Sequence, residues 1–204
     1  MTDRTDARKE ERKMTKALIV VDVQNDFCEG GSMAVTGGSS VASQVSRFIA
    51  DHSDDYAHVV ATRDYHIDPG AHFSDTPDFV DTWPRHCVAG TPGAAFHPDF
   101  DTSAVEQVFS KGKYTAAYSG FEGADEEDRS LEDWLRARGV TEVDVVGIAT
   151  DHCVRATALD AAEAGFDTRV LLDLTAGVAE KTTDAALRSL TEKGVALRGK
   201  PVLA

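Results

Sequence analysis

The apolar residues of this chain fall into short runs, and segments of helical periodicity separate several of them. The first run is Ala17–Val23, in which every residue except Asp22 is apolar. Such a run is expected of a strand that is buried on both faces. Five later runs are similar in length and composition. The predicted strands are Ala17–Val23, His58–Thr62, Val105–Ser110, Glu142–Ala149, Thr168–Leu174 and Val195–Arg198.

Four segments between these strands have the apolar spacing of amphipathic helices. The first carries Val41, Val45, Phe48 and Ile49 at i, i+4, i+7 and i+8. The second starts after Ser130, whose hydroxyl, with Asp133 three residues later, forms a predicted N-terminal cap. The third is lined by Val154, Ala158 and Ala161 and ends at Gly165, and the fourth covers Val178–Lys193. Strands that alternate with such helices predict an α/β fold whose parallel sheet has helices on both faces.

Three segments do not follow this alternation. Residues 1–16 are polar and unpatterned, so we expect a disordered extension ahead of a single domain at residues 17–204. Met14 is an alternative start of translation. Residues 64–104 hold five prolines and four histidines, which favours a functional loop. The glycine-rich and then acidic residues 112–129 predict an exposed flap.

Charge and cysteine content narrow the classes of function. The net charge of −14 argues against nucleic acids and anionic membrane surfaces as partners. No apolar run approaches the roughly 20 residues of a membrane span, and the charged N-terminus lacks the features of a secretory signal. Three cysteines are an odd number without disulfide-framework spacing, so we expect a reducing, cytoplasmic location.

Reactive side chains follow four of the predicted strands. Asp22, Asp64, Lys111 and Cys153 each lie at, or just past, the carboxyl end of a strand. Parallel sheets bind ligands at this edge, so we expect the four side chains to converge on one site.

Cys153 falls at the start of a predicted helix, where the backbone N–H groups favour a thiolate. A neighbouring aspartate can accept the thiol proton, and a lysine keeps that aspartate ionised. Each residue also has an ordinary structural interpretation. These are a buried core cysteine, an aspartate that caps the turn after the first strand, and a solvated lysine.

The proline-rich loop contains a candidate metal site. Asp64, His66 and His72 lie within nine residues, and His86 follows. Imidazole and carboxylate ligands suit Zn²⁺, Mn²⁺ or Fe²⁺, and the D-x-H spacing places two of them on one side of an extended segment. The alternative is a group of ordinary surface or core histidines. We expect no ligand role for His52, His58 and His97.

Several long motifs resemble a known family. They are ALIVVDVQNDFCEGGSMAVTGGSS, ATRDYHIDPGAHFS, WPRHCVAGTPGAAFHP, VFSKGKYTAAYSGFEG and DVVGIATDHCVRATALDA, in this order. Together they are similar to nicotinamidases and pyrazinamidases of mycobacterial type, within the isochorismatase-like cysteine hydrolases. The resemblance implies a doubly wound, six-stranded parallel sheet.

The resemblance also implies residue roles. Asp22, Lys111 and Cys153 match the catalytic triad of the family, and the N–H groups of Ala149 and Cys153 match its oxyanion hole. The Ile148–Ala149 bond matches a cis peptide bond. Phe27, Trp83 and Tyr118 match the aromatic lining of the family's substrate pocket. The ligands of its one divalent metal ion are matched by Asp64, His66, His72 and His86.

The implied activity is hydrolysis of nicotinamide to nicotinate and ammonia through a cysteine thioester, as in NAD salvage, with pyrazinamide as a second substrate. The sequence leaves open whether the ion is Fe²⁺, Mn²⁺ or Zn²⁺, and whether the protein is a monomer or a homo-oligomer. Other members of the superfamily act on ureidoacrylate, carbamoyl or biuret-type substrates, and a regulatory protein on the same scaffold is a further alternative. A dinucleotide-dependent oxidoreductase is disfavoured because no G-x-G-x-x-G follows the first strand.

Overall fold

A single six-stranded parallel sheet organises the chain in the computed structural model, which describes residues 15–203. The strands are β1 (Lys16–Val21), β2 (His58–Asp64), β3 (Gln107–Lys111), β4 (Glu142–Ile148), β5 (Asp167–Ala176) and β6 (Ala196–Arg198). Their order across the sheet is β3-β2-β1-β4-β5-β6, and every neighbouring pair is parallel. The doubly wound α/β prediction is confirmed, with the switch point between β1 and β4.

All six predicted strands form, and their ends differ from the prediction by a few residues. β1 ends at Val21 rather than Val23 because Asp22 has a left-handed backbone with φ of 49°. β2 and β3 continue to Asp64 and Lys111, which places these side chains on the carboxyl edge itself.

The helices cover both faces of the sheet, as expected. They are α1 (Gly38–Asp51), α2 (Leu131–Ala137), α3 (Arg155–Glu163) and α4 (Glu180–Glu192). The predicted cap of α2 is present, since Ser130 Oγ accepts from the Asp133 N–H at 3.1 Å. Gly165, with φ of 87°, follows α3 as predicted.

Alternate residues of β1 belong to two separate cores because successive side chains of a strand point to opposite faces. Leu18 and Val20 pack in the core that α1 covers with Val41 and Val45. Their neighbours in sequence pack in the core that α2, α3 and α4 cover; its members include Ala17, Ile19, Val21, Leu131, Trp134, Ala158 and Leu190.

The predicted flap at residues 112–129 is wrong for much of that segment. Ser119 and Asp125 are buried, and Ala124 makes an antiparallel bridge to Ser110 of β3. The Gly120 N–H donates to Thr157 Oγ1 of α3 at 2.9 Å. These contacts dock the segment against the body, and only short stretches such as residues 114–116 and 126–128 are exposed.

The predicted extension lies mostly outside the described residues, which begin at Thr15. Lys16 already belongs to β1, one residue ahead of the predicted domain start. Among residues 15–203, no helix combines the length and apolar character needed to cross a bilayer.

Candidate active site and metal centre

Cys153 lies beyond the carboxyl end of β4, in a wide π-helical turn at Thr150–Val154 that leads into α3. The peptide bond between Ile148 and Ala149 is cis, as the family resemblance implies. The Cys153 side chain is almost fully buried but still lines a cavity that opens to solvent. The turn therefore presents a sulfur at the sheet edge to a small ligand.

Lys111, at the end of β3, contacts the other three residues that were predicted to converge at this edge, Asp22, Asp64 and Cys153. Its Nζ lies 3.6 Å from Cys153 Sγ and 2.8 Å from Asp22 Oδ2, and it also donates to Asp64 Oδ1. Burial alone would lower the pKa of Lys111, but the carboxylates of Asp22 and Asp64 outweigh this effect and raise the pKa well above its usual value. Lys111 is therefore a permanent cation, and the solvated-lysine interpretation is wrong.

Asp22 is held at the centre of the sheet edge, between β1 and β2. Thr62 Oγ1 donates to Asp22 Oδ1 at 2.7 Å, and the Asp22 N–H donates to the Thr62 carbonyl oxygen at 3.2 Å. Burial raises the pKa of the Asp22 carboxyl, while Lys111 opposes that rise. A carboxylate with a raised pKa is a stronger base than a solvated aspartate.

The Cys153 thiol is not ionised by its helix start alone, contrary to the simple expectation from sequence. Burial raises the pKa of Cys153 well above its usual value, Lys111 lowers it, and Asp22 and Asp64 raise it further. The negative charge of the Asp22 carboxylate thus favours the protonated sulfur. The sulfur thus rests as a thiol beside a base that can accept its proton.

Three histidines of the long loop after β2 converge beside this triad. His66, His72 and His86 each offer one ring nitrogen, and these atoms lie within 4.8 Å of one another. Asp64 Oδ2 lies 3.5 Å from His66 Nε2 and 3.7 Å from His86 Nε2. All four predicted ligands are therefore buried in one cluster.

The hydrogen bonds of these imidazoles suit a metal ion. His66 Nδ1 lies 2.6 Å from the Gly112 carbonyl oxygen and His86 Nδ1 lies 2.7 Å from that of Pro84, so each Nδ1 donates to a carbonyl oxygen and each Nε2 is the ring nitrogen left to bind a metal ion. Buried His66 Nε2 and His72 Nδ1 have no hydrogen-bond partner among the described residues. Burial, followed by His86 and His66, lowers the pKa of His72 to about 4, which keeps its ring neutral. The donor set fits one divalent ion.

A cavity of about 550 Å³ joins the sulfur to the histidine cluster. Its walls include the three aromatic residues that the resemblance implies, Phe27, Trp83 and Tyr118, together with Ala149. Trp83 Nε1 donates to Tyr118 Oη at 3.0 Å, which fixes two of the rings relative to each other. The cavity therefore combines a flat apolar lining with polar groups at one end.

His152 also belongs to this lining, a position that its sequence pattern did not predict. Its ring lies edge-on to Trp83, with centroids 5.4 Å apart, and is roughly parallel to Tyr118 at 6.5 Å. Burial lowers the pKa of His152, so a neutral imidazole faces the cavity. Its position directly before Cys153 in the sequence was the one feature that could have predicted a place in the cavity.

The other three histidines predicted to have no ligand role contact residues outside this cluster. His52 contacts the Phe48 carbonyl oxygen, His58 pairs with Glu106, and His97 is near Asp99.

The chain is similar to proteins of known activity. It is 65% identical over 182 residues to the nicotinamidase/pyrazinamidase of Mycobacterium tuberculosis, an alignment that covers 89% of this chain and 97% of that protein. The structure of the Pyrococcus horikoshii pyrazinamidase in complex with zinc matches with a TM-score of 0.77 at 38% identity, covering 93% of this chain and 99% of that one. PnC1 from L. infantum in complex with nicotinate also matches with a TM-score of 0.77, at 32% identity, covering 94% of this chain and 96% of that one. The model of the isochorismatase domain matches residues 16–200, and the chain belongs to the isochorismatase family.

Proposed function

We propose that this chain is a metal-dependent nicotinamidase that hydrolyses nicotinamide to nicotinate and ammonia and also accepts pyrazinamide. The observation that carries the proposal is the contact of Lys111 with Asp22 and Cys153 at a cavity that the histidine cluster also borders. The activity named for the mycobacterial relative, at 65% identity, supports the same substrates. Such a reaction serves NAD salvage.

In the proposed mechanism, the thiol of Cys153 loses its proton to Asp22, and the sulfur attacks the amide carbon. Lys111 balances the charge of the aspartate and of the developing thiolate. The N–H groups of Ala149 and Cys153 bind the oxyanion of the tetrahedral intermediate, and one such donor is typically worth about 10²–10³ in rate.

The second half of the reaction returns the proton. Asp22 protonates the departing ammonia and leaves a thioester on Cys153. Asp22 then takes a proton from a water molecule, whose oxygen attacks the thioester. The C–S bond breaks, Asp22 returns the proton to the Cys153 sulfur, and nicotinate is released. The raised pKa of the Asp22 carboxyl suits both directions of proton transfer.

Asp64, His66, His72 and His86 are the proposed ligands of one divalent ion, and Fe²⁺, Mn²⁺ and Zn²⁺ all suit three imidazoles and a carboxylate. When bound, the ion supplies a coordination position that orients the ring nitrogen of the substrate. Phe27 and Trp83 are the proposed walls on either side of that ring, and Tyr118 holds Trp83 in place.

We also propose a reducing compartment such as the cytoplasm. The thiols of Cys28, Cys87 and Cys153 are all free in the described part of the chain.

Ammonia release from nicotinamide by the metal-analysed protein tests the proposal. We expect turnover by the wild type, none by Cys153→Ala, and retained turnover by Cys28→Ala, which removes a buried thiol outside the cavity lining. Turnover by Cys153→Ala would exclude the covalent route. Faster ammonia release from ureidoacrylate, carbamoyl or biuret-type substrates would place the chain in another branch of the family.

A further inference from the structure

The cavity beside Cys153 is larger than a one-ring carboxamide requires. Nicotinamide has nine non-hydrogen atoms, and at the roughly 30 Å³ that each molecule of liquid water occupies, nine such atoms fill at most about 270 Å³. The cavity measures about 550 Å³. About half of this space is left over when nicotinamide is bound.

The remaining space is lined by uncharged residues from three loops. Met33 follows the first 3₁₀ turn after β1, Phe79 belongs to the loop before Trp83, and Val178 lies between β5 and α4. Phe79 is 59% exposed and Val178 is 47% exposed, so both stand at the mouth of the cavity. The chain carries a net charge of −14. The ionisable residues of the cavity lining nevertheless lie at its inner end, in or next to the proposed catalytic and metal groups, and not at Met33, Phe79 or Val178. The mouth therefore favours neutral apolar groups.

Phe79 is fixed in place despite its exposure. Asp78 Oδ1 accepts from the N–H groups of Val80, Asp81 and Thr82 at 2.9–3.0 Å. The Phe79 backbone is left-handed, with φ of 58°, and its ring meets Trp83 edge-on with centroids 6.2 Å apart. An exposed aromatic ring that is held by this turn is preorganised for contact with a ligand.

Val178, across the mouth from Phe79, is held by Asp151, the second residue of the π-helical turn that carries Cys153. Buried Asp151 accepts from the Val178 N–H at 3.0 Å and from Thr182 Oγ1 at 2.5 Å. The loop between β5 and α4 is thereby attached to the same turn that carries Cys153. Val178 therefore has a set position relative to Cys153.

We infer that the apolar mouth formed by Phe79 and Val178 binds an apolar substituent on the substrate ring, so that the enzyme takes ring-alkylated pyridine and pyrazine carboxamides as well as the unsubstituted ones. This inference rests on the proposed function. The ring, rather than the amide nitrogen, is the point of attachment because Phe79 packs against Trp83, the proposed wall of the ring site. Because the two rings are neighbours in the cavity lining, we expect an alkyl group on a substrate ring held against Trp83 to contact the Phe79 side chain.

The test compares nicotinamide, 5-propylnicotinamide and N-propylnicotinamide as substrates of the metal-loaded protein. We expect the ratio of kcat/KM for 5-propylnicotinamide to that for nicotinamide to fall in Phe79→Asn, by about fourfold for each methylene that the ring covers. Asparagine is chosen because it adopts left-handed backbone readily. The matched control is Tyr114→Asn, which removes an aromatic ring that is 69% exposed and does not line the cavity; its ratio is expected to stay at the wild-type value.

Equal ratios in Phe79→Asn and Tyr114→Asn would overturn the inference. A dependence on Phe79 that is confined to N-propylnicotinamide, with release of propylamine, would overturn the ring assignment. Failure of the wild type to hydrolyse nicotinamide itself would instead count against the proposed function, so the two failures are distinguishable.

Discussion

The side-chain amide of Gln24 pairs with both backbone groups of Asp64. Gln24 Oε1 accepts from the Asp64 N–H at 2.8 Å, and Nε2 donates to the Asp64 carbonyl oxygen at 2.8 Å. The same Nε2 donates to the carbonyl oxygen of Ala94 at 2.9 Å. Gln24 is fully buried, so these bonds are protected from water. The segment that follows β1 therefore fixes the backbone of Asp64, a proposed metal ligand.

The next two residues extend this attachment to the loop that carries His86. Asn25 Nδ2 donates to the Pro92 carbonyl oxygen at 2.8 Å. Asp26 Oδ2 accepts from the Cys87 N–H, directly after His86, at 2.7 Å. One segment after β1 thus supplies the proposed base and holds two of the proposed ligands in position.

Gln24→Glu is expected to weaken metal binding. The glutamate side chain cannot donate to the carbonyl oxygens of Asp64 and Ala94, and it brings a charge into a buried site. Loss of a partner that orients a ligand typically costs about 10–100-fold in metal affinity. Competition with a chelator measures the dissociation constant.

Gln44→Glu is the matched control, because Gln44 lies on α1 and, within the described residues, its side chain bonds only to Ser40 Oγ. Its metal affinity is expected to equal that of the wild type. Equal affinities of both variants would show that the Gln24 amide does not position Asp64.

Gly112→Ala is expected to displace His66. Gly112 has φ of 74°, and a Cβ atom there would lie 2.5 Å from His66 Cε1. Gly139→Ala is matched for backbone strain, since φ is 69° and nothing in the described chain lies within 4 Å of its Cβ position. Both variants lose about 1–2 kcal/mol of stability to the left-handed conformation. Only Gly112→Ala should also lose metal affinity, measured by metal analysis after dialysis; equal retention of metal would contradict the role of Gly112.

The location of the site could be predicted from sequence because strand ends are a local property. Asp22, Asp64 and Lys111 each follow an apolar run, and parallel strands bring their carboxyl ends to one edge. The alternation of strands and helices predicted the fold for the same reason. The specific roles required the family resemblance, since no spacing distinguishes a ligand from a core histidine.

Features that depend on burial and on long-range contacts could not be predicted. The raised pKa of Cys153 follows first from its burial, which the charge of Lys111 does not offset. The bonds of Gln24 to Asp64 and Ala94 cross 40 and 70 residues of sequence. Residues 112–129 looked like a flap because glycines and acidic residues are typical of loops, whereas contacts with Thr157 and Ser110 bury part of the segment.

Iodoacetamide is expected to label Cys153 alone in the folded protein. Burial, with the charges of Glu29 and Asp99, raises the pKa of Cys28 to about 12, and burial also raises the pKa of Cys87. Cys153 has a raised pKa too, but it lines the cavity and lies beside the Asp22 carboxylate and Lys111. Peptide mass spectrometry identifies the labelled residue. Labelling in denaturant, where all three thiols react, is the control, and comparable labelling of Cys28 in the folded protein would contradict the assignment.

Glu29 is expected to stabilise the N-terminus of α1 in a pH-dependent way. Its carboxylate accepts from the Ser39 N–H at 2.8 Å and from the Gly37 N–H at 2.6 Å, where α1 has no cap from its own N-cap residue. The bonds to Ser39, and then that to Gly37, lower the pKa of Glu29 from about 4.5 to about 2. Because the pKa is lower in the folded state, the stabilisation is complete above about pH 4.5 and is lost as the pH falls towards 2.

Glu29→Gln should therefore lower the free energy of unfolding at pH 7 by about 1 kcal/mol, the usual size of a helix cap, reduced to the extent that solvent screens this exposed group. The difference from the wild type should shrink between pH 4.5 and 3, because protonation of the wild-type carboxylate removes the same interaction. Urea unfolding at pH 7, 4.5 and 3 measures it. Glu126→Gln, in an exposed turn, is the control and should show no such change. A constant difference between Glu29→Gln and the wild type at all three pH values would mean that the ionisation of Glu29 contributes nothing to the stability of the start of α1.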